Sequence, residues 1–161
     1  MDDITIRNIR QSDNPVISKI VKGTLAEFGA NHPDTVYYDP STDTLYEVFQ
    51  KERSIYFIAE KENEILGGAG IYPTDGLDQD TCELVKMYLL PHARGIGLGR
   101  ILIDKCLDYA RSAGYSKVYL ESMPELRQAL KVYEKFGFSY LKGPIGNSGH
   151  TGCSLWMIKE L

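Results

Sequence analysis

The stretch LLPHARGIGLGRILIDKCLDYA, residues 89–110, predicts a turn that runs directly into a helix. Three glycines, Gly95, Gly97 and Gly99, alternate with larger residues at its centre. One apolar stripe then predicts a helix over residues 98–113, which a glycine closes. Because glycine has no Cβ, another group can approach the backbone of this turn closely, and the turn is a candidate binding site.

A glycine turn at the start of a helix can hold a phosphate or pyrophosphate. The first N–H groups of the helix lack partners, and the dipole is positive at that end. Arg94 and Arg100 could add positive charge. The spacing G-x-G-x-G lacks the Lys-Ser/Thr pair of a P-loop and differs from the G-x-G-x-x-G of dinucleotide folds. A tight turn whose glycines serve packing alone is equally compatible with these residues.

On both sides of this turn the sequence predicts further strands and helices, with no internal sequence repeat and no long linker between them. A strand over residues 83–90, which Pro91 ends, and a strand over 117–122 flank the helix and predict a parallel crossover unit. Residues 54–60 and 64–72 predict a hairpin. The remaining predicted elements are strands at 4–9, 138–141 and 154–159 and helices at about 12–29, 42–51 and 124–137. The pattern is typical of an α+β fold with a mixed, mostly antiparallel sheet of about seven strands and about four helices.

The composition narrows the functional classes. The 161 residues suit one domain over 1–161, and the net charge of -4 argues against a nucleic-acid surface. The N-terminus has no signal-peptide core, and no stretch approaches the roughly 20 apolar residues of a membrane helix, so we expect a cytoplasmic protein without a membrane partner. The spacing of Cys82, Cys106 and Cys153 fits neither disulfides nor zinc, which favours a reducing compartment. No metal site is expected from the isolated histidines at positions 32, 92 and 150.

The run Arg94-Gly95-Ile96-Gly97-Leu98-Gly99 resembles the [QR]-x-x-G-x-[GA] signature of the GNAT superfamily of acetyl-CoA-dependent N-acetyltransferases. CELVKMYLLPHARGIGLG resembles that family's fourth strand and following turn, and YEKFGF, residues 133–138, its closing helix end. The predicted element order is similar to the family's from residue 4 to residue 159. Within the superfamily, the chain most resembles a subgroup whose domain occurs alone or fused C-terminal to a MarR-type regulator domain. The shared motifs are CEL-KMY in the fourth strand and the Gly-His-x-x-Cys-x-x-Trp pattern at residues 149–156.

This resemblance implies acetyl-CoA as co-substrate and no metal. The turn 95–100 would hold the coenzyme A pyrophosphate through backbone N–H groups. The pantetheine arm would pair with the fourth strand, in a slot made where that strand bulges and splays from the fifth. The implied coenzyme-binding residues are Met87, Tyr88, Leu89, Arg94, Gly95, Ile96, Gly97, Leu98, Gly99 and Arg100. Many members carry an Asn seven residues before the tyrosine; Leu126 stands there, so that contact would be absent or replaced.

Acetyl transfer to an amine needs a base, because an alkyl ammonium has a pKa of about 10.4. By the resemblance, Glu83 and Glu121 are alternative bases, and each is also compatible with a solvated acid at a strand end. Tyr133 matches the tyrosine that faces the coenzyme sulfur, although its apolar stripe is also typical of a core tyrosine. The backbone N–H of Leu89 could polarise the thioester carbonyl.

Together these residues predict an N-acetyltransferase that works by direct attack in a ternary complex. The acceptor would be a primary amine on a small molecule or a peptide. His150 with Cys153 and Trp156 could line its pocket. Two alternatives remain. One is a module of the same fold that binds or senses acyl-CoA without catalysis, and the other is a nucleotide-binding domain that uses the glycine turn. The chain could form a homodimer, as is common in the superfamily.

Overall fold

The computed structural model describes residues 3–33 and 35–161 and shows one seven-stranded mixed sheet with helices on its two faces. The strands lie in the order β1-β2-β3-β4-β5-β7-β6. The strands are β1 Ile4–Asn8, β2 Ile55–Lys61, β3 Glu64–Tyr72, β4 Thr81–Leu89, β5 Lys117–Ser122, β6 Ser139–Leu141 and β7 Leu155–Glu160. The helices are α1 Asn14–Glu27, α2 Leu45–Val48, α3 Leu98–Ser112 and α4 Arg127–Lys135.

Every neighbouring pair of strands is antiparallel except β4 and β5. The helix α3 connects these two strands, so the predicted parallel crossover unit is confirmed. The predicted hairpin of β2 and β3 is confirmed as well, and its turn places Glu62 and Asn63 at φ values of 51° and 67°. Positive φ at both turn residues matches the twist of the strands they join.

The two faces of the sheet carry separate apolar cores, because side chains alternate along each strand. On β2, Tyr56 and Ile58 face the core covered by α1, whereas Ala59 faces the core covered by α3. In α3 the predicted apolar stripe packs against this core, and its members Leu102 and Cys106 are fully buried. Truncating a core residue such as Leu102 to alanine costs about 2–5 kcal/mol.

Two predicted helices are shorter in the structure. The helix expected at 42–51 is a 3-10 turn, Pro40–Thr44, followed by the single turn of α2. Asp39 caps the 3-10 turn by accepting the N–H of Ser41 at 2.9 Å, with Pro40 at the first position of the turn. The helix expected from Pro124 begins at Arg127, after Leu126, which offers no side-chain cap.

Candidate functional site

The sheet opens between β4 and β5. These strands pair over only three residues, Thr81–Glu83 with Lys117–Tyr119. Beyond Glu83, β4 continues along β3, and β5 continues along β7 as far as Ser122. The two strands therefore diverge, which produces the opening that the resemblance implied.

A bulge in β4 bends its backbone beside this opening. The pairing with β3 shifts register between Gly68 and Gly70, and Lys86 has a left-handed φ of 51°. The hydroxyl of Tyr56 donates to the carbonyl of Lys86 at 2.7 Å. A Cβ at Gly68 or Gly70 would lie 2.5 or 2.7 Å from the Tyr56 ring. The glycine-rich sequence of β3 thus makes room for the ring that holds the bulge.

The opening holds a cleft of about 840 Å³, a size that suits an organic ligand. The strands β4 and β5 form its walls, the start of α3 lies at one end, and α4 runs along one side. Ile96 and Leu98 do not line the cleft; Leu98 is 1% exposed, so only its backbone could reach a ligand. The other predicted coenzyme-binding residues line it: Met87, Tyr88, Leu89, Arg94, Gly95, Gly97, Gly99 and Arg100.

The glycine turn presents a row of free donors at the start of α3. In the described part of the chain, none of the backbone N–H groups of residues 95–100 has a hydrogen-bond acceptor. Gly95 and Gly97 have φ values of 77° and 86°, and a Cβ on either would meet no atom within 4 Å. The glycines are therefore required by the backbone conformation and not by packing. Six free N–H groups at a helix start form a site for an anion such as a pyrophosphate.

The two arginines beside the turn differ. Arg94 forms a bidentate ion pair with Glu27 at 2.7 and 3.0 Å and donates to the carbonyl of Leu89 at 3.0 and 2.9 Å. Its guanidinium thereby ties the end of α1 to the end of β4. Arg100 is exposed, and its side chain has no partner in residues 3–33 and 35–161. Of the two, Arg100 has the guanidinium free for a phosphate.

Glu83 lies where β4 and β5 separate, and it is only 4% exposed. The hydroxyl of Thr74 donates to its carboxylate at 2.6 Å. Burial raises the pKa of Glu83 to about 7, although the bond from Thr74 acts in the opposite direction. The group therefore titrates near neutral pH while lining the cleft.

Glu121 lies on β5 and also lines the cleft, but its carboxylate is occupied. The hydroxyl of Tyr119 donates to one oxygen at 2.7 Å, and the hydroxyl of Ser148 donates to the other at 2.5 Å. Ser148 also accepts the N–H of His150 at 3.1 Å. Glu121 thus holds the loop before β7 against the cleft.

Tyr133 lies on α4 and is 8% exposed, with its ring edge-on to Phe138. Burial raises its pKa, so the phenol is protonated at neutral pH. The phenol has no partner among the described residues, and none of their fully buried polar side-chain atoms lacks one. The phenol oxygen must therefore reach the cleft that Tyr133 lines.

A second cavity of about 260 Å³ adjoins the cleft. The two spaces share Glu83, Val85, Lys86 and His150. Sequence reasoning missed Lys86 and the Thr74 hydroxyl, although a lysine inside a largely apolar strand was a visible signal. Asp39 accepts a bond from the ring of His150 at 2.7 Å. Burial would raise the pKa of Asp39, but the bonds from His150 and Ser41 outweigh it and lower that pKa to about 2.

Within residues 3–33 and 35–161, no group of three or more His, Cys, Asp or Glu side chains could hold a metal ion. No helix in these ranges is long and apolar enough to cross a membrane. Of the predicted acceptor-pocket residues, His150 and Cys153 line the cleft. Trp156 is half-buried on β7, where it pairs with Glu121, and it does not line either cavity.

Comparison with known proteins agrees with this geometry. The model of the acetyltransferase (GNAT) family matches residues 18–138. The uncharacterized N-acetyltransferase YjgM of Escherichia coli K12 is 38% identical over 158 residues, which cover 97% of this chain and 94% of that protein.

Two solved structures share the fold. A GNAT-family acetyltransferase from Staphylococcus aureus Mu50 superposes with a TM-score of 0.85 at 17% identity, and 98% of each chain is covered. The acetyltransferase yncA of Salmonella typhimurium, solved with acetyl-CoA, gives a TM-score of 0.76 at 20% identity, with 98% of this chain and 94% of that one covered. The seven-stranded sheet with four α-helices is thus the fold of these acetyltransferases, as the sequence predicted.

Proposed function

Because the chain belongs to the acetyltransferase (GNAT) family, we propose that it transfers the acetyl group of acetyl-CoA to a primary amine by direct attack in a ternary complex. One observation carries the proposal: a single cleft joins six backbone N–H groups at its α3 end, which have no acceptor among the described residues, to the buried carboxylate of Glu83. Such a reaction requires an anion site that binds the coenzyme and a base that accepts the proton of the amine, among other groups.

The residues of the cleft fit the coenzyme. The N–H groups of residues 95–100 would hold the pyrophosphate, and Arg100 would add charge. Met87, Tyr88 and Leu89 would offer the β4 backbone to the pantetheine arm, along the side where β5 has moved away. In this role Arg94 supports the end of β4 through its bonds to the Leu89 carbonyl, and does not contact the phosphates. Acetyl-CoA supplies an activated acyl carbon.

Glu83 is our candidate for the base. An ammonium of pKa about 10.4 must lose a proton before its nitrogen can attack. A carboxylate with a pKa of about 7 is largely ionised above neutral pH and binds that proton far better than an ordinary glutamate. Glu83 would accept the proton of the amine either directly or through one intervening water molecule. Glu121 has both oxygens engaged by hydroxyl donors, which suits a positioning role better.

Tyr133 is our candidate for the group that stabilises the leaving thiolate. Its phenol is protonated, free of partners and accessible from the cleft. A thiol has a pKa of about 8.5, well below that of this buried phenol, so complete proton transfer from Tyr133 to sulfur is unfavourable. Tyr133 would therefore act by a hydrogen bond to the thiolate, and the N–H of Leu89 could bind the developing charge on the carbonyl oxygen.

Four further predictions accompany this proposal. We propose that residues 1–161 form one acetyltransferase domain, that the protein acts in the cytoplasm, and that it can form a homodimer. The finer likeness to the subgroup found behind MarR-type regulators rests on CEL-KMY and residues 149–156 and also stays a prediction.

Calorimetric titration with acetyl-CoA tests the proposal, together with free-thiol release in the presence of primary amines. Gly97→Glu would place a carboxylate among the free N–H groups, and we expect it to abolish binding. Gly114→Glu is the matched control, because Gly114 has a similar φ of 89° at the opposite end of α3. Equal binding by both variants would refute the phosphate site. Tight binding without acetylation of any amine would favour the acyl-CoA-sensing alternative.

A further inference from the structure

Lys86 is a half-buried cation inside the candidate site, and its ammonium has no partner among the described residues. The bulge of β4 directs this residue to the boundary between the cleft and the second cavity, both of which it lines. In the described part of the chain its ammonium forms no salt bridge and no hydrogen bond. Burying a charge without a partner is costly, and the bulge that imposes it is held by the Tyr56 bond to the Lys86 carbonyl.

The nearby carboxylates do not supply the missing partner. Asp39 and Glu83 are close enough to raise the pKa of Lys86, yet burial dominates and lowers it. Asp39 is engaged by His150 and Ser41, and Glu83 by Thr74. Each carboxylate thus accepts hydrogen bonds from other residues, and the ammonium of Lys86 faces the cavity without a hydrogen bond to either of them.

The ammonium of Lys86 is within reach of a ligand. Among the residues described, no fully buried polar side-chain atom lacks a partner, so the unpaired Nζ must touch accessible space. The accessible space around this residue is that of the two cavities. An anion that entered there would pair with the ammonium of Lys86 in a charge-assisted bond, in a site largely shielded from water.

Resting on the proposed acetyl transfer, we infer that the acceptor is an amino acid, whose carboxylate pairs with Lys86 while its amine faces Glu83. Both residues lie on β4, three positions apart, and both border the second cavity. A small molecule with adjacent amine and carboxylate groups can reach the two at once. The 260 Å³ of this cavity suits an acceptor of that size better than a polypeptide segment.

A polycationic amine is the main rival, because carboxylates also border the cavity. Two of them, Asp39 and Glu83, already accept hydrogen bonds. The third, Asp75, is exposed at the rim, where solvent screens its charge. Lys51 is a second cation on the wall, 5.6 Å from the Tyr72 ring centroid. A polyamine would have to place positive charge beside Lys86 and Lys51.

Matched pairs of acceptors test the inference. The panel comprises L-alanine, L-methionine and L-lysine, their C-terminal amides, and spermidine, with thiol release as the readout and acetyl-CoA binding measured separately. The α-amine of an amide titrates near that of a peptide N-terminus, about 7.7–8.0, so the amide is the more easily deprotonated nucleophile. A preference for the free acid would therefore report recognition of the carboxylate and not intrinsic reactivity.

The variants are Lys86→Met and Lys86→Arg, with Lys105→Met on the exposed face of α3 as control. We expect the wild type to favour at least one acid over its amide by at least about 10-fold in kcat/KM, as a charge-assisted bond would give. In Lys86→Met the ratio of kcat/KM for each acid to kcat/KM for its amide should fall close to one, and Lys86→Arg should retain part of the preference. Lys105→Met should behave as the wild type.

Three results would overturn the inference. They are an equal or better reaction with amides or spermidine, an acid preference that survives in Lys86→Met, and acetyl-CoA binding with no panel acid acetylated. The absence of both acetyl-CoA binding and thiol release would instead count against the proposed function itself. If Lys86→Met does not fold, the wild-type pairs and Lys86→Arg still decide the question.

Discussion

Glu83 and Glu121 lie on neighbouring strands and line the same cleft, yet their surroundings give them different properties. Glu83 is almost fully buried and has one hydroxyl donor, Thr74. Glu121 is half-buried and has two, Tyr119 and Ser148. Desolvation with a single donor raises the pKa of Glu83 to about 7, whereas the two hydroxyl donors of Glu121 hold its carboxylate in a fixed position. Glu83 is therefore suited to accept a proton, whereas Glu121 is suited to hold the loop before β7.

The largest expected effect of this difference is on turnover. Glu83→Gln removes the proposed base without changing the size of the side chain, and we expect kcat to fall by about 10²–10⁴-fold. The affinity for acetyl-CoA should stay within about threefold, because Glu83 lies away from the N–H groups of the turn. Steady-state kinetics and calorimetry on the same preparation measure both. Turnover within threefold of the wild type would refute the assignment of Glu83.

The same substitution should stabilise the folded protein at alkaline pH. The pKa of Glu83 is about 7 when folded and about 4.5 when exposed, so between these values the folded state binds more protons. The protonated carboxyl contributes stability that is complete below pH 4.5 and is lost as the pH rises through 7. At pH 8 the charged carboxylate is therefore buried at a cost, which we place at about 3 kcal/mol.

Urea unfolding of wild type and Glu83→Gln at pH 5 and pH 8 measures this effect. The difference in unfolding free energy should favour the glutamine variant more at pH 8 than at pH 5. A pH-independent difference for Glu83→Gln would mean that Glu83 titrates normally.

A substitution of Thr74 should have a smaller effect than Glu83→Gln, confined to the pKa of Glu83. Thr74→Val removes the hydroxyl that donates to Glu83 and should raise the pKa of Glu83 by about one unit, since a bond to a charged group contributes about 1.5–3 kcal/mol and water would replace part of it. In the wild type, kcat/KM should rise with pH through a step near 7 as the base ionises. That step should move upward in the variant, while the rate at the alkaline plateau stays similar. An unmoved step would assign the ionisation to another group.

The sequence predicted the order of strands and helices well, because buried faces impose periods of 2 and 3.6 that can be read residue by residue. The parallel crossover around α3 and the hairpin of β2 and β3 follow from such patterns. Helix starts were less predictable. At Pro40–Thr44 the chain has the Asp39 cap and the proline of a helix start yet forms a 3-10 turn, and at Leu126 no side-chain cap extends α4 towards Pro124.

The site was predictable only in part. The glycine turn is a local feature, so its free N–H groups could be anticipated from three glycines before a helix. The difference between Glu83 and Glu121 could not, because Thr74 and Ser148 reach them only through folding, the latter from 27 positions away. The role of Arg94 was also hidden, since its partner Glu27 lies 67 positions earlier in the chain.

The smallest expected effect is that of Glu121→Gln. The amide keeps the size of the side chain but loses the charge that accepts bonds from Tyr119 and Ser148, so the loop before β7 should be held less firmly. That loop carries His150 to the second cavity, so we expect the KM of the acceptor to rise by about 3- to 10-fold with kcat nearly unchanged. Ser148→Ala should reproduce the effect, because it breaks the same contact from the other side. A large fall in kcat for Glu121→Gln that Ser148→Ala does not share would make Glu121 the base and reverse the comparison with Glu83.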